Sequence, residues 1–355
     1  MLLVNNPGSW DAIYPPLEHA PWHGWTPTDL IFPFFLFIVG ITTEISLTRR
    51  ATLGASDSAI RQRILVRGAL IVLFGLLLTA FPFFPLTRLT EIRIPGVLQR
   101  IGVCYAIGAL LSWRRTDRAV AVTAAVLLLG YWATLVLVPA PGLAVATIDQ
   151  PDQTIAAYLD RALLGRHLWA TSKTWDPEGP LSTIPAIGTV LLGVLTARLA
   201  GRAPTLAHRL NTLFGLGAVA IVVGLCWNWV LPINKNLWTS SYVVFTAGAA
   251  ATVLATVTWI AESHGLAPWG RPFATFGTNP MLAFLGSGLM ARLIGSVITI
   301  PADHGRVSLQ QAIYWRGFAS WASPVNASLL YAVSFVLLWY LILHHCERRG
   351  WFIKV

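Results

Sequence analysis

The sequence predicts an all-α fold, a polytopic transmembrane helix bundle of about 10 spans that includes a truncated first helix. Three observations carry that prediction. Only 11% of the 355 residues are charged while 55% are hydrophobic, whereas a soluble domain carries roughly 25% charged residues. So few charges cannot coat a soluble body of this size, but a lipid-facing surface needs none; mean hydropathy is +0.63. The apolar segments also run unbroken for close to ~20 residues, the length at which a helix crosses hydrocarbon. A β-barrel would alternate in segments of about ten instead. Finally, the arginines gather in short connections between apolar runs, the charge pattern that orients membrane helices.

Taken in order, Met1-Leu2-Leu3-Val4 is too short to span and reads as the last turn of the truncated first helix. The following spans are expected at about 29–47, 64–84, 95–113, 119–139, 183–200, 211–231, 240–261, 273–297 and 327–345. Residues 308–322, with Trp315 and Trp321, suit an interfacial helix, because aromatic residues favour that zone. The 140–182 stretch has no apolar span. Within it, 152–165 suits a short amphipathic helix closed by Gly165, and Thr174-Trp175-Asp176-Pro177-Glu178-Gly179 is turn-forming and acidic. No internal repeat or second soluble domain is visible, so 1–355 reads as one transmembrane domain.

The basic residues divide the loops. One set holds Arg49, Arg50, Arg61, Arg63, Arg67, Arg114, Arg115, Arg118, Arg198, Arg202, Arg209, Arg271, Arg348, Arg349 and Lys354. The other holds most of the acids, among them Asp11, Glu18, Asp29, Glu91, Asp149, Asp152, Asp160, Asp176, Glu178 and Asp303. The positive-inside rule makes the first set and the C-terminus cytoplasmic. The His19 loop and the 140–182 loop are then periplasmic, with a bacterial inner membrane as the simplest setting. The same distribution accounts for the formal net charge of +10 without nucleic acid as a partner. Cys104, Cys226 and Cys346 are scattered, and neither a disulfide framework nor a metal site is suggested.

Chemistry is concentrated in residues 1–47. His19 sits in a loop that runs into a span opened by Asp29. A neutral imidazole suits general-base work near neutral pH, and a carboxylate beside it fixes its tautomer. A lone interfacial histidine is also commonly structural, His23 is equally eligible, and Asp29 could N-cap its helix in competition with Thr28. Asn5 and Asn6 before Pro7-Gly8, Asn279-Pro280, and Asn234-Lys235-Asn236 are either turn formers or amide donors toward an oxyanion. Gln99 and Arg100 fall just inside a span. There Arg100 either binds an anionic donor or pairs with Glu91 or Asp29. No P-loop, dinucleotide glycine fingerprint, HExxH or GxSxG occurs.

Several blocks together resemble the heparan-α-glucosaminide N-acetyltransferase family. They are Asn5-Asn6-Pro7-Gly8; His19-Ala20-Pro21-Trp22-His23-Gly24-Trp25-Thr26 with Asp29-Leu30-Ile31-Phe32-Pro33; Arg93-Ile94-Pro95-Gly96-Val97-Leu98-Gln99-Arg100; Asp176-Pro177-Glu178-Gly179; and Ile233-Asn234-Lys235-Asn236-Leu237-Trp238. They stand in family order over nearly the whole chain. The resemblance implies a bundle that moves an acetyl group from cytosolic acetyl-CoA to a glucosamine amine across the membrane. It implies catalytic roles for His19, Asp29 and Asn5, with His19 as base or transient acyl carrier. It leaves Arg100, Arg114 and Arg115 as contacts for acetyl-CoA, and Asn279, Asn234, Asp176, Glu178 and His23 as substrate-binding candidates. Expected partners are the lipid bilayer, an amino-sugar or glycan acceptor and, since members are often dimers, a second copy. Two other functions fit the same spans: a transporter for an amino sugar or glycan precursor, and an O-acyltransferase of envelope polysaccharide.

Overall fold

Long apolar runs with polar caps make the helices here, because only a helix satisfies its own backbone in lipid. The computed structural model describes residues 1–263, 267–302 and 305–353; Asp303 and Lys354 of the charge pattern lie outside them. The helices are α1 (Ile31–Thr52), α2 (Asp57–Ala80), α3 (Val97–Ser112), α4 (Asp117–Leu137), α5 (Ile155–Leu164), α6 (Pro180–Gly201), α7 (Leu206–Trp227), α8 (Ser240–Ser263), α9 (Ala267–Thr278), α10 (Pro280–Arg292), α11 (Leu309–Tyr314) and α12 (Pro324–Arg348). Among the described residues eight segments are long and apolar enough to cross a membrane, and α3 is a shorter apolar helix. The chain is a multi-pass membrane protein. Side-chain caps start several helices: Ser56 on α2, Thr116 on α4, Thr154 on α5 and Thr205 on α7.

Helix α6 is the most deeply buried span, packed against α1, α3, α4, α7 and α8. Its contact with α1 is backbone to backbone. A Cβ on Gly40 would run into the Val190 carbonyl, and one on Gly193 would run into the Phe37 carbonyl. Small residues let helices approach this closely in membranes, where dispersion rather than hydrophobicity holds them. The main core joins Phe32 and Leu36 of α1 with Ile101 of α3, Val190 and Leu191 of α6 and Tyr242 of α8.

Two segments depart from the expected spans. The run at 273–297 is broken at Asn279, whose φ of −138° and ψ of 53° end α9 before Pro280 opens α10. Proline lacks the N–H that a continuous helix needs and crowds the residue before it. Two short strands, β1 (Thr299–Ala302) and β2 (Gly305–Ser308), pair antiparallel. The expected interfacial segment is α11 followed by a wide turn at Trp315–Ala319. Met1–Val4 makes one turn, with the Asn5 N–H donating to the Met1 carbonyl at 3.0 Å. The amphipathic segment of the 140–182 loop is α5, closed by Gly165 at φ +55°.

The bundle has two polar ends. At one, Arg198 joins Glu44 and Asp117, and Arg114 joins Asp57. At the other, the 1–30 segment meets the 140–180 and 232–239 loops.

Candidate active site

The loop before α1 is folded around one carboxylate. Thr26 and Asp29 form a capping box on the short turn Pro27–Leu30 that leads into α1. Asp29 Oδ2 accepts from the backbone N–H groups of Ala20 and Thr26, both at 3.0 Å, and from the Thr26 hydroxyl at 3.2 Å. Its other oxygen lies 2.6 Å from His19 Nδ1. The Tyr242 hydroxyl of α8 donates to the Asp29 carbonyl and ties this turn to the core. Capping and histidine contact are therefore simultaneous. The Asp29 side chain is fully buried while the His19 side chain is 50% exposed. An ionised carboxylate only accepts, so Nδ1 carries the hydrogen and Nε2 keeps its lone pair. That is the tautomer a general base needs, on a half-exposed ring.

A second loop presents a lysine to the same ring. Asn234 is completely buried; its Oδ1 accepts from the Leu237 N–H at 2.8 Å and its own N–H donates to Thr239 Oγ1 at 3.0 Å. The Gly24 N–H donates to the Ile233 carbonyl at 2.8 Å, joining the two loops. Lys235 is thereby held with Nζ 3.2 Å from His19 Nδ1, 3.3 Å from Nε2 and 3.8 Å from Asp29 Oδ1. Burial lowers the pKa of Lys235, with Glu178 and Asp29 opposing that shift. Asn234 Nδ2 reaches His23 Nδ1 at 3.3 Å, and His23 Nε2 meets Asp149 Oδ1 at 3.0 Å. His23 thus flanks the site and has no carboxylate buried behind it as His19 does.

Beside this lies a buried ionic network. Arg93 clamps Asp176 through Nε–Oδ2 at 2.8 Å and Nη2–Oδ1 at 2.5 Å, and also binds Glu178. The Asp176 N–H donates to Asp160 Oδ2 at 2.9 Å. Burial pushes the Asp160 carboxyl up to about 7, and the neighbouring Asp176 carboxylate adds to it. Arg100 donates to the Gly179 carbonyl at 3.2 Å and to Ser182, and its guanidinium stands 5.0 Å from the Trp238 ring centre. It pairs with neither Glu91 nor Asp29. Trp22 and Trp169 each pack edge-on to Trp175, at 5.2 and 5.5 Å, and close the loops over this network.

The remaining sequence candidates fall elsewhere. Asn5 lines a cavity of about 520 Å³ with Asn6, Arg93, Gln99 and Arg292; among the described residues no hydrogen bond joins it to His19. Asn279 sits past the far end of α12, bonded to the Trp351 carbonyl at 2.9 Å and the Ile353 N–H at 3.2 Å. From Ser328, which contacts Ser9, α12 runs a further ~30 Å to Arg348 before the chain reaches the partners of Asn279. Arg114 and Arg115 lie at the basic end, remote from Arg100. Arg114 is bound to Asp57 at 3.0 Å, and Arg115 lines a cavity of about 380 Å³ with Arg61 and Trp113. Sequence reasoning did not single out Lys235, Arg93, Asp160 or Tyr242. Lys235 and Arg93 stood inside quoted motifs, but neither type of residue at a loop position signals a role without its neighbours.

Residues 11–160 match the family described as heparan-alpha-glucosaminide N-acetyltransferase, catalytic. That stretch contains His19, Asp29, Arg93 and Arg100. The human heparan-alpha-glucosaminide N-acetyltransferase is 30% identical over 76% of this chain and 48% of its own length, and the mouse protein is 29% identical over the same shares. The chain belongs to this acetyltransferase family. It spans about half the length of these two relatives.

Proposed function

We propose that the protein transfers an acetyl group from acetyl-CoA, presented at the basic end, to the amine of an amino sugar or glycan at the His19 end. The observation that carries this reading is the His19 Nδ1–Asp29 Oδ1 contact of 2.6 Å, with the acid fully buried and the ring half-exposed. In this reading the basic end is cytoplasmic and the His19 loop periplasmic. Arg115, with Arg61 and Arg114 around the same cavity, supplies cations suited to the phosphates of the donor. At the other end His19 Nε2 accepts a proton from the acceptor amine as its nitrogen attacks the thioester carbonyl. Asp29 holds the tautomer and offsets the imidazolium. When the tetrahedral centre collapses, the C–S bond breaks and the imidazolium returns the proton to the departing sulfur. Asp176 and Glu178, clamped by Arg93, wall the acceptor side, with His23 and Asn234 next to them.

The test uses reconstituted vesicles with acetyl-CoA on the basic face and glucosamine on the other. Acetylated product should form, and His19→Ala should lower its rate by roughly 10²–10⁴-fold, the usual worth of a general base. Undiminished transfer by a well-expressed His19→Ala protein rejects the assignment. Passage of unmodified sugar alone identifies a transporter instead.

A further inference from the structure

Lys235 has no role in the mechanism just described, yet its Nζ lies within 3.3 Å of both ring nitrogens of the base. We propose that Lys235 is a catalytic residue of the transfer, its ammonium supplying the charge that meets the oxyanion as it forms beside His19 Nε2. The inference rests on His19 acting as the base.

Its placement is specific. Nζ stands within 3.3 Å of both imidazole nitrogens and further, at 3.8 Å, from Asp29 Oδ1. A lysine recruited only to neutralise Asp29 would close on the carboxylate. That carboxylate already accepts from Ala20, Thr26 and His19 and needs no fourth residue. With Nδ1 committed to Asp29, the open contact of the ammonium is the Nε2 side of the ring, where the reaction takes place.

The chain also holds Lys235 there at a cost. Its side chain is only 16% exposed, so the four-carbon stem loses rotamer freedom and the ammonium loses water. The turn that carries it is bonded at nearly every polar atom. Asn234 closes on Leu237 and Thr239, Thr239 Oγ1 donates to the Pro232 carbonyl at 2.9 Å, and Trp238 adopts φ +53°. Trp238 is then wedged between Phe32 of α1 and Tyr242 of α8, at ring distances of 5.0 and 5.4 Å. A lysine needed only for solubility would not be fixed on such a support.

The chemistry makes use of this placement. As the amine nitrogen bonds to the acetyl carbon, the carbonyl π pair moves onto oxygen and a proton moves from nitrogen to Nε2. Two charges appear together, an imidazolium and an oxyanion. Asp29 stands against the first and Lys235 against the second. A preorganised donor aimed at developing charge stabilises the transition state without reorganising. When the oxyanion collapses, the C–S bond breaks, the sulfur takes the proton from His19, and Lys235 is left unchanged.

The experiment separates charge from bulk. Lys235→Met should lower kcat by about 10²–10³-fold, with little change in KM for either substrate. Lys235→Cys, made together with Cys226→Ser because Cys226 is the exposed cysteine, should be equally impaired. Alkylating that protein with 2-bromoethylamine rebuilds an ammonium of lysine length and should recover at least tenfold in kcat; iodoacetamide, which adds a neutral group, should recover nothing. Both treatments act on one purified, folded sample. Equal recovery from both reagents, or a Lys235→Met enzyme within twofold of wild type, overturns the role. If His19→Ala retains full activity, the base assignment fails and the inference falls with it. If His19→Ala is dead and Lys235→Met is not, the inference alone fails.

Discussion

Asp29 holds together groups that cannot all be kept by its amide. In Asp29→Asn the backbone N–H groups of Ala20 and Thr26 still need an acceptor, so the amide oxygen turns to them and the NH₂ turns to His19. The ring must then accept at Nδ1 and carry its hydrogen on Nε2, which removes the lone pair that serves as base. We expect kcat to fall on the order of 10³-fold with KM and thermal midpoint nearly unchanged; a variant that keeps its kcat would show that Asp29 only caps α1. Asp160 poses a different question, since burial pushes its folded carboxyl up to about 7 from the ordinary 3.8. A raised acid means that the folded state binds more protons than the unfolded state between those values. Stability therefore falls as pH rises through that window and levels off above it. The thermal midpoint in detergent should drop from pH 5 to pH 8, and Asp160→Asn should flatten the slope; equal slopes in the two proteins would refute this. At this scale the residues alone left His19 and His23 equally eligible, and only the family resemblance preferred His19 with Asp29. Lys235 was not legible in the sequence, since its meaning depends on a loop some two hundred residues from His19 in the chain. Nor did Asn279 betray its location, because an Asn-Pro pair reads the same at either end of a helix.

Among the elements, the pair α1 and α6 matters most to the site, since the turn that carries Asp29 leads directly into α1. Gly40 and Gly193 let the two backbones touch, and a methyl group at Gly193 would collide with the Phe37 carbonyl, an atom that cannot rotate away. Gly193→Ala should thus push α1 outward and cost roughly 1–3 kcal/mol as overpacking. A thermal-shift assay in detergent should register a drop of several degrees, with kcat falling alongside it; an unchanged midpoint would mean that α1 and α6 are less tightly joined than these contacts indicate. Helices of this kind were legible because length and hydropathy suffice to mark them. The break at Asn279 was not, because Phe276, Met281 and Leu282 continue the apolar run across it, and a proline can kink a membrane helix as well as end it. The β1–β2 pair has strands of four residues each, one of them containing Pro301, too short for an alternating pattern to stand out.

Across the whole molecule, charge is sorted between the two ends of one bundle. Arg198 and Arg202 share Asp117, with Glu44 and Asp57 as further partners for the surplus of arginines at that end. At the other end the acids offset the bases: Arg100 is buried and Arg93 is paired with Asp176 and Glu178, while Arg161, Arg166, Arg306 and Arg316 are exposed. Basic residues in excess of acids resist translocation, and that excess lies at the first end. The basic end should accordingly face the cytoplasm and the His19 end the opposite side. Leu53 and Val145 are 77% and 74% exposed and lie in loops at opposite ends. In a Cys226→Ser background, a membrane-impermeant maleimide added to intact spheroplasts should label Val145→Cys at once. Leu53→Cys should react only after permeabilisation. Labelling of both from outside would break the link between charge sorting and sidedness, and labelling of Leu53→Cys alone would invert the bundle. In the inverted case acetyl-CoA would reach the His19 face directly from the cytoplasm, and no transfer across the bundle would be needed.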